Sequence, residues 1–232
     1  MESNQNSSML LYEQLLHKLF RFFRFYRIPF FSAIFFGMLA HGFAFTNKFI
    51  NHDEIYNLFG KGATVDSGRW ALGALDSIFP NYSMPWIYGI FTIVLIAVSV
   101  CLIVHVFSIR NALLQALLAG AIVVFPVWTS TFSFMFTSCA YGVAFLTAVL
   151  SVALLRKATP LFWIPALGCG IFSVAIYQAY IAIIAAMLVL CLMKDLLCEA
   201  ELLSTLRQGI CYLIFLILTL GLYYAATQAV LL

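Results

Sequence analysis

The sequence predicts an all-α fold, a polytopic bundle of helices that cross a membrane, and three observations carry that reading. The 232 residues are 64% hydrophobic and only 9% charged, where a soluble domain carries about a quarter of its residues as charges. Mean hydropathy is +1.04. Apolar runs of about 18 or more residues recur, each long enough to cross roughly 30 Å of hydrocarbon as a helix. They are continuous rather than short and alternating, which excludes an outer-membrane barrel.

Taken in order, residues 1–9 are polar and are expected to be disordered. Residues 10–27 mix Leu and Phe with Lys18, Arg21, Arg24 and Arg27, so 1–27 reads as a cytoplasmic amphipathic segment lying in the membrane interface. Its cations place the N-terminus inside. The remainder, 28–232, is the transmembrane domain. Its first span is expected over 28–46, with His41 near the far end; an ionisable group at that depth is either functional or a neutral, hydrogen-bonded histidine.

A long loop, 48–86, follows on the outer side, with three Lys/Arg against four Asp/Glu. Short interfacial helices are expected at 53–59 and 68–78, the second from its Leu72, Leu75 and Ile78 stripe. Pro80, Tyr82, Pro85 and Trp86 mark re-entry into the membrane. Further spans are expected over 86–107, 112–127 and 132–155, with Thr129-Ser130-Thr131 as the outer turn between the last two. Residues 161–193 are one apolar run of 33, too long for a single span. Lys157 and Lys194 bracket it, so two short helices breaking at Tyr177-Gln178 keep both lysines inside; a single strongly tilted helix is the competing reading. A charged connector (194–207) and a final span over 209–226 bring the count to about seven.

The six cysteines lie in or beside apolar runs without metal-ligand or CxxC spacing, and read as small buried hydrophobes. No internal repeat, P-loop, zinc motif, Ser-His-Asp pattern or cleavable leader stands out, and nothing points to nucleic acid.

The loop gathers the chemistry. Asp53, Glu54 and Asp66 are three of the nine acids, and Lys48, Lys61, Arg69 and His52 accompany them. Adjacent Asp53 and Glu54 diverge by about 100° on a helix, so they do not form a proton-sharing dyad. One can face a reaction centre while the other binds a cation, pairs with Lys48 or Arg69, or caps a helix. A partly desolvated acid is a tunable general base. The planar fork of Arg69 suits phosphate oxygens. Trp70 either stacks on a sugar or anchors the loop. The bland alternative is a solvated, charged surface loop.

The order HGF (41–43), TNK (46–48), NHDE (51–54), LFGKGA (58–63), SGRW (67–70) and YSMPW (82–86), with IYQAY (176–180), resembles the N-terminal half of the Gtr-type membrane glucosyltransferases, which decorate bacterial O-antigen. The resemblance spans most of residues 20–195. It implies a GT-C-like enzyme of the bacterial inner membrane with its active loop periplasmic. The donor it implies is a polyprenyl-phosphate-linked sugar and the acceptor a polysaccharide. The acidic catalytic pair falls on Asp53 and Glu54. Substrate-binding positions fall on Arg69 and Trp70, with His52 and Lys48 beside them, and Tyr177 and Gln178 are carried over as motif positions.

The scheme this implies is inverting transfer of glucose or a similar hexose, with Asp53 as the first choice of base, Glu54 the second, and Arg69 on the carrier phosphate. It needs no cofactor or metal, although an acidic pair can hold a divalent ion. Members of that family are generally longer than this chain, which stops at Leu232; a fragment, a truncated non-catalytic subunit and a minimal form all fit that difference. The rival function is a transporter or flippase for a lipid-linked sugar, for which His41, His105 and the Tyr177-Gln178 break are the only suggestive features.

Overall fold

The computed structural model describes residues 2–48, 51–57, 64–78, 83–157, 159–198 and 201–231, and of 2–19 and 21–23 the backbone alone. All regular structure among them is helical. The elements are α1 (Glu2–Thr46), α2 (His52–Asn57), α3 (Trp70–Leu75), α4 (Pro85–Phe107), α5 (Ala112–Val123), α6 (Pro126–Ser133), α7 (Met135–Leu155), a 3₁₀ turn (Pro160–Phe162), α8 (Trp163–Ile176), α9 (Tyr180–Leu197) and α10 (Leu202–Leu231).

Helices α4 and α7 pack on each other at the centre. Helices α1 and α5 lie on the α4 side, α8 and α9 on the α7 side, and α10 packs outside α8 and α9. Lipid tails supply no hydrophobic drive between helices, so small residues that let backbones approach decide the seams. On α7, Ala140, Ala144 and Ala148 recur every four residues and are buried. Gly89 of α4 takes the Phe45 ring of α1 where a Cβ would stand, so this crossing requires glycine. On α1, Ala33, Gly37, His41 and Phe45 face inward at the same spacing, while Phe31, Phe35, Leu39 and Phe43 face outward. An apolar outer face of that extent belongs in lipid.

Five helices are long and apolar enough to cross a membrane, and a sixth crossing arises if α5 and α6, bent by 43°, are one broken span. Seven were expected, and the shortfall lies in α8. Its 14 residues rise only about 21 Å. The break itself falls where the polar dipeptide predicts it: α8 ends at Ile176 and α9 begins at Tyr180. The single tilted helix does not form.

Two boundaries differ from expectation. Helix α1 is unbroken from Glu2 through Pro29 to Thr46, so residues 2–9, expected to be disordered, are turns of this helix, and the amphipathic stretch runs into the first span without a break. No Pro or Gly precedes Pro29, and a helix once nucleated propagates through polar residues. The expected outer turn at Thr129-Ser130-Thr131 lies instead inside α6, and the chain turns at Phe134. Pro126 starts α6. Thr131 Oγ1 then donates to Val127 O (2.9 Å) and Ser133 Oγ to Ser130 O (2.7 Å), so these two hydroxyls bond back to carbonyls of their own helix.

Candidate functional site

The loop between α1 and α4 covers one end of the bundle. Both short helices form, α2 over His52–Asn57 and α3 over Trp70–Leu75; Phe59, the LFGKGA stretch, Pro80 and Tyr82 lie outside the described residues. Asn51 starts α2, its Oδ1 accepting from the Asp53 N–H (3.0 Å) while its Nδ2 donates to Ser133 O (3.1 Å) at the end of α6. A turn precedes α3, with Gly68 N–H donating to Val65 O and Arg69 N–H to Thr64 O. Gly68 sits at φ +77°, a left-handed conformation that glycine adopts without strain.

Three side-chain bonds clamp that turn onto the bundle. Gln178 Nε2 donates to Ser67 O (2.8 Å) and to Tyr223 Oη (2.9 Å), and Tyr223 Oη donates to Gly68 O (3.0 Å). The α8–α9 break and α10 together therefore set the position of Arg69.

Beneath the loop lies a cavity of about 930 Å³. Its loop end is polar, with Asp53, Arg69 and Asp76. Below them, Tyr141, Tyr177 and Tyr180 form an aromatic wall, with Tyr141 and Tyr177 rings 5.5 Å apart and Tyr177 and Tyr180 6.3 Å apart. The deeper lining is apolar, including Ile103, Phe145, Ile183 and Met187. Phe145 lies ten residues into α7 and Met187 seven into α9. On the α7 and α9 side the cavity thus reaches at least roughly 10–15 Å below the loop.

The Arg69 guanidinium lies over the Tyr177 ring, 5.1 Å from its centroid. Its Nε is buried without a hydrogen-bond partner, as is Trp70 Nε1. Buried donors left unpaired by the protein are costly, and an anionic or hydroxyl-rich ligand satisfies them. Trp70 packs its ring on the bundle core.

The adjacent acids separate as the helix geometry requires. Asp53 lines the cavity mouth, its side chain 59% exposed, with an oxygen 3.7 Å from His52 Nδ1. Glu54 points the other way: its side chain is 4% exposed, pairs with Lys48 Nζ at 3.2 Å, and accepts from the Ser83 N–H at 3.3 Å. That pair joins the ends of α1, α2 and α4 and lies away from the cavity lining. His52, 79% exposed, rests on Tyr56. Tyr177 is in the cavity wall, whereas Gln178 serves the clamp. Asp66 is exposed.

His41 is structural in its contacts. Its Nε2 donates to Val123 O (2.9 Å) at the end of α5, and its ring rests on Phe132 at 4.7 Å. His105 shares a 2.6 Å hydrogen bond with the Tyr26 hydroxyl. All six cysteines are free thiols.

Reading the sequence did not single out Asp76, Tyr141 or Tyr223 as site residues. For Asp76 a signal was present: Arg69, Leu72 and Asp76 are spaced i, i+3, i+7 on one helical face, and all three line the cavity. Burial pushes the Asp76 carboxyl up to about 6.

A bundle of lipid-facing helices that holds a polar-headed, apolar-bodied cavity at its loop end defines a polytopic membrane protein. The chain belongs to the GtrII glucosyl transferase family, whose sequence model matches residues 42–231 and so takes in the loop, the cavity and α10. It is a membrane glycosyltransferase. No curated protein and no solved structure matches the chain.

Proposed function

We propose that the protein moves glucose, or a similar hexose, from a polyprenyl-phosphate carrier to O-antigen or a related lipid-linked polysaccharide, at the periplasmic face of a bacterial inner membrane, on a GT-C-like scaffold. The observation that carries this reading is the polarity of the cavity, with Arg69 and two carboxylates at the loop end and an apolar trough below. A lipid-linked sugar has the same polarity. Its isoprenoid lies against Phe145, Ile183 and Met187, and its phosphate meets Arg69, whose unpaired Nε gains an acceptor. The sugar then rests near Tyr177.

The chemistry follows from those positions. As the acceptor oxygen attacks the anomeric carbon, the bond to the carrier phosphate breaks and its electron pair leaves with that phosphate. Arg69 stabilises the charge that builds there. A single displacement inverts the anomeric centre. The acceptor proton goes to one of the carboxylates that reach the cavity, Asp53 on α2 or Asp76 at the end of α3. Glu54, held by Lys48, positions the loop. Lys48 acts through its pair with Glu54, and His52 adds rim charge beside Asp53. Trp70 supplies an indole N–H and a ring edge beside Arg69.

Photo-crosslinking tests the reading. A polyprenyl-phosphate hexose carrying a benzophenone on its lipid is expected to label peptides from α7 and α9, and excess unmodified donor is expected to suppress the labelling. Label confined to the outward face of α10 contradicts it.

A further inference from the structure

The transferase reading leaves open which carboxylate takes the proton. Glu54 is occupied, since Lys48 and the Ser83 N–H hold it in a buried pair. Asp53 is largely exposed and has His52 beside it. Asp76 differs from both. It follows α3 directly, its backbone N–H bonded to Leu72 O (2.9 Å), which fixes its direction into the cavity.

The charged and titratable groups around Asp76 come from each packed element. Arg69 shares its segment, Asp53 lies across the mouth on α2, and Tyr88 of α4 and Tyr141 of α7 are within electrostatic reach of it. Tyr177 and Tyr180 complete the wall from the α8–α9 break. Arg69 is the one cation in that set, and its guanidinium lies over Tyr177. Among the described residues no cation or hydrogen-bond donor pairs with the Asp76 carboxylate. An acid kept half-buried and unneutralised beside a bound sugar retains its basicity for a substrate proton.

We propose that Asp76 is the general base of the transfer, and that Asp53 holds the acceptor at the cavity mouth. Asp76 takes the acceptor hydroxyl proton as that oxygen bonds to the anomeric carbon. The carrier phosphate leaves with the electrons of the broken bond, and Arg69 receives its charge. The desolvation that lifts the Asp76 carboxyl to about 6 serves this role. At pH 7 about nine in ten molecules carry it ionised. It is nonetheless a stronger base than an ordinary carboxylate, since a catalytic group works best with its pKa near the working pH. The inference rests on the transferase reading above.

The test uses the full chain in lipid nanodiscs with radiolabelled polyprenyl-phosphate glucose and a lipid-linked polysaccharide, and measures rate against pH for wild type, Asp76→Asn, Asp76→Glu and Asp53→Asn. Wild type is expected to lose rate below about pH 6. Asp76→Asn should lower kcat by about 100-fold or more, keep the donor KM, and lose the acid limb. Asp76→Glu should recover part of the rate along with the limb, and Asp53→Asn should keep the limb. A limb that survives in Asp76→Asn, or that vanishes in Asp53→Asn instead, overturns the assignment. A wild-type chain that binds donor but transfers nothing overturns the transferase reading itself, and the base with it.

Discussion

The clamp on the Gly68 turn can be broken without touching the cavity lining. Gln178→Leu removes the bonds to Ser67 O and Tyr223 Oη, and Tyr223→Phe removes the bond to Gly68 O. Each such bond contributes about 1 kcal/mol net, so the double variant loses roughly 3 kcal/mol, somewhat less where the exposed Ser67 carbonyl regains water. Three kcal/mol is about a hundredfold in the ratio of held to released loop. Two readouts follow. Trypsin should cut after Arg69 faster, by up to the same factor, because cleavage tracks the released population. The donor KM should rise as fewer molecules present Arg69 correctly, while kcat at saturating donor changes little. Donor in excess should restore protection. If the double variant is cut at the wild-type rate and keeps the wild-type KM, the clamp does not place Arg69 and the argument fails.

Other perturbations test separate parts of the account. Arg69→Lys keeps the charge but loses the planar fork and the stacking on Tyr177, so transfer should fall about tenfold or more; unchanged kinetics would make Arg69 a surface residue. Asp76→Asn should raise stability as it removes activity. The folded carboxyl lies above its unfolded value of 3.8, so ionisation destabilises the fold as pH rises from about 4 to 6, and the cost is fully present above that. The full shift corresponds to about 3 kcal/mol, and solvent access to the group reduces it to about 1 kcal/mol. Calorimetry should find Asp76→Asn more stable than wild type at pH 7.5 by a few degrees, with no difference at pH 4. Orientation is testable by cysteine labelling in a background without native thiols: Ser67→Cys should react with an impermeant reagent from the periplasm, and Glu201→Cys should not.

Much of the architecture was legible because membrane solvent imposes long apolar runs, and because breaks in them need polar residues. Tyr177-Gln178 marked the α8–α9 break for that reason. The loop was legible as the candidate site because charges are otherwise scarce, and the divergence of Asp53 from Glu54 follows from helix geometry alone. Partners were not legible. Gln178 meets Ser67 across 111 positions and Tyr223 meets Gly68 across 155, and no local pattern encodes such pairings. Lys48 and Arg69 were equal candidates to pair with Glu54 until α1 was seen to end beside it. Asp76 passed unnoticed because an acid following an apolar stripe looks like a helix end, and its entry into the cavity depends on how α3 packs against α8. Hydroxyl-rich Thr129-Ser130-Thr131 looked like a turn because Ser and Thr favour turns, yet in α6 the hydroxyls of Thr131 and Ser133 bond back to helix carbonyls.

Whether the cavity is where a sugar leaves a lipid phosphate for a hydroxyl is decided by one transfer experiment with anomeric analysis. Purified full chain in nanodiscs is given polyprenyl-phosphate glucose labelled with carbon-13 at the anomeric carbon, together with a lipid-linked polysaccharide, and the product is examined by NMR. A labelled glycosidic bond of inverted configuration is expected, lost when Ile183→Trp fills the apolar trough. Retained configuration, full activity with the trough filled, or passage of the labelled lipid across a vesicle membrane with no sugar transferred would contradict it.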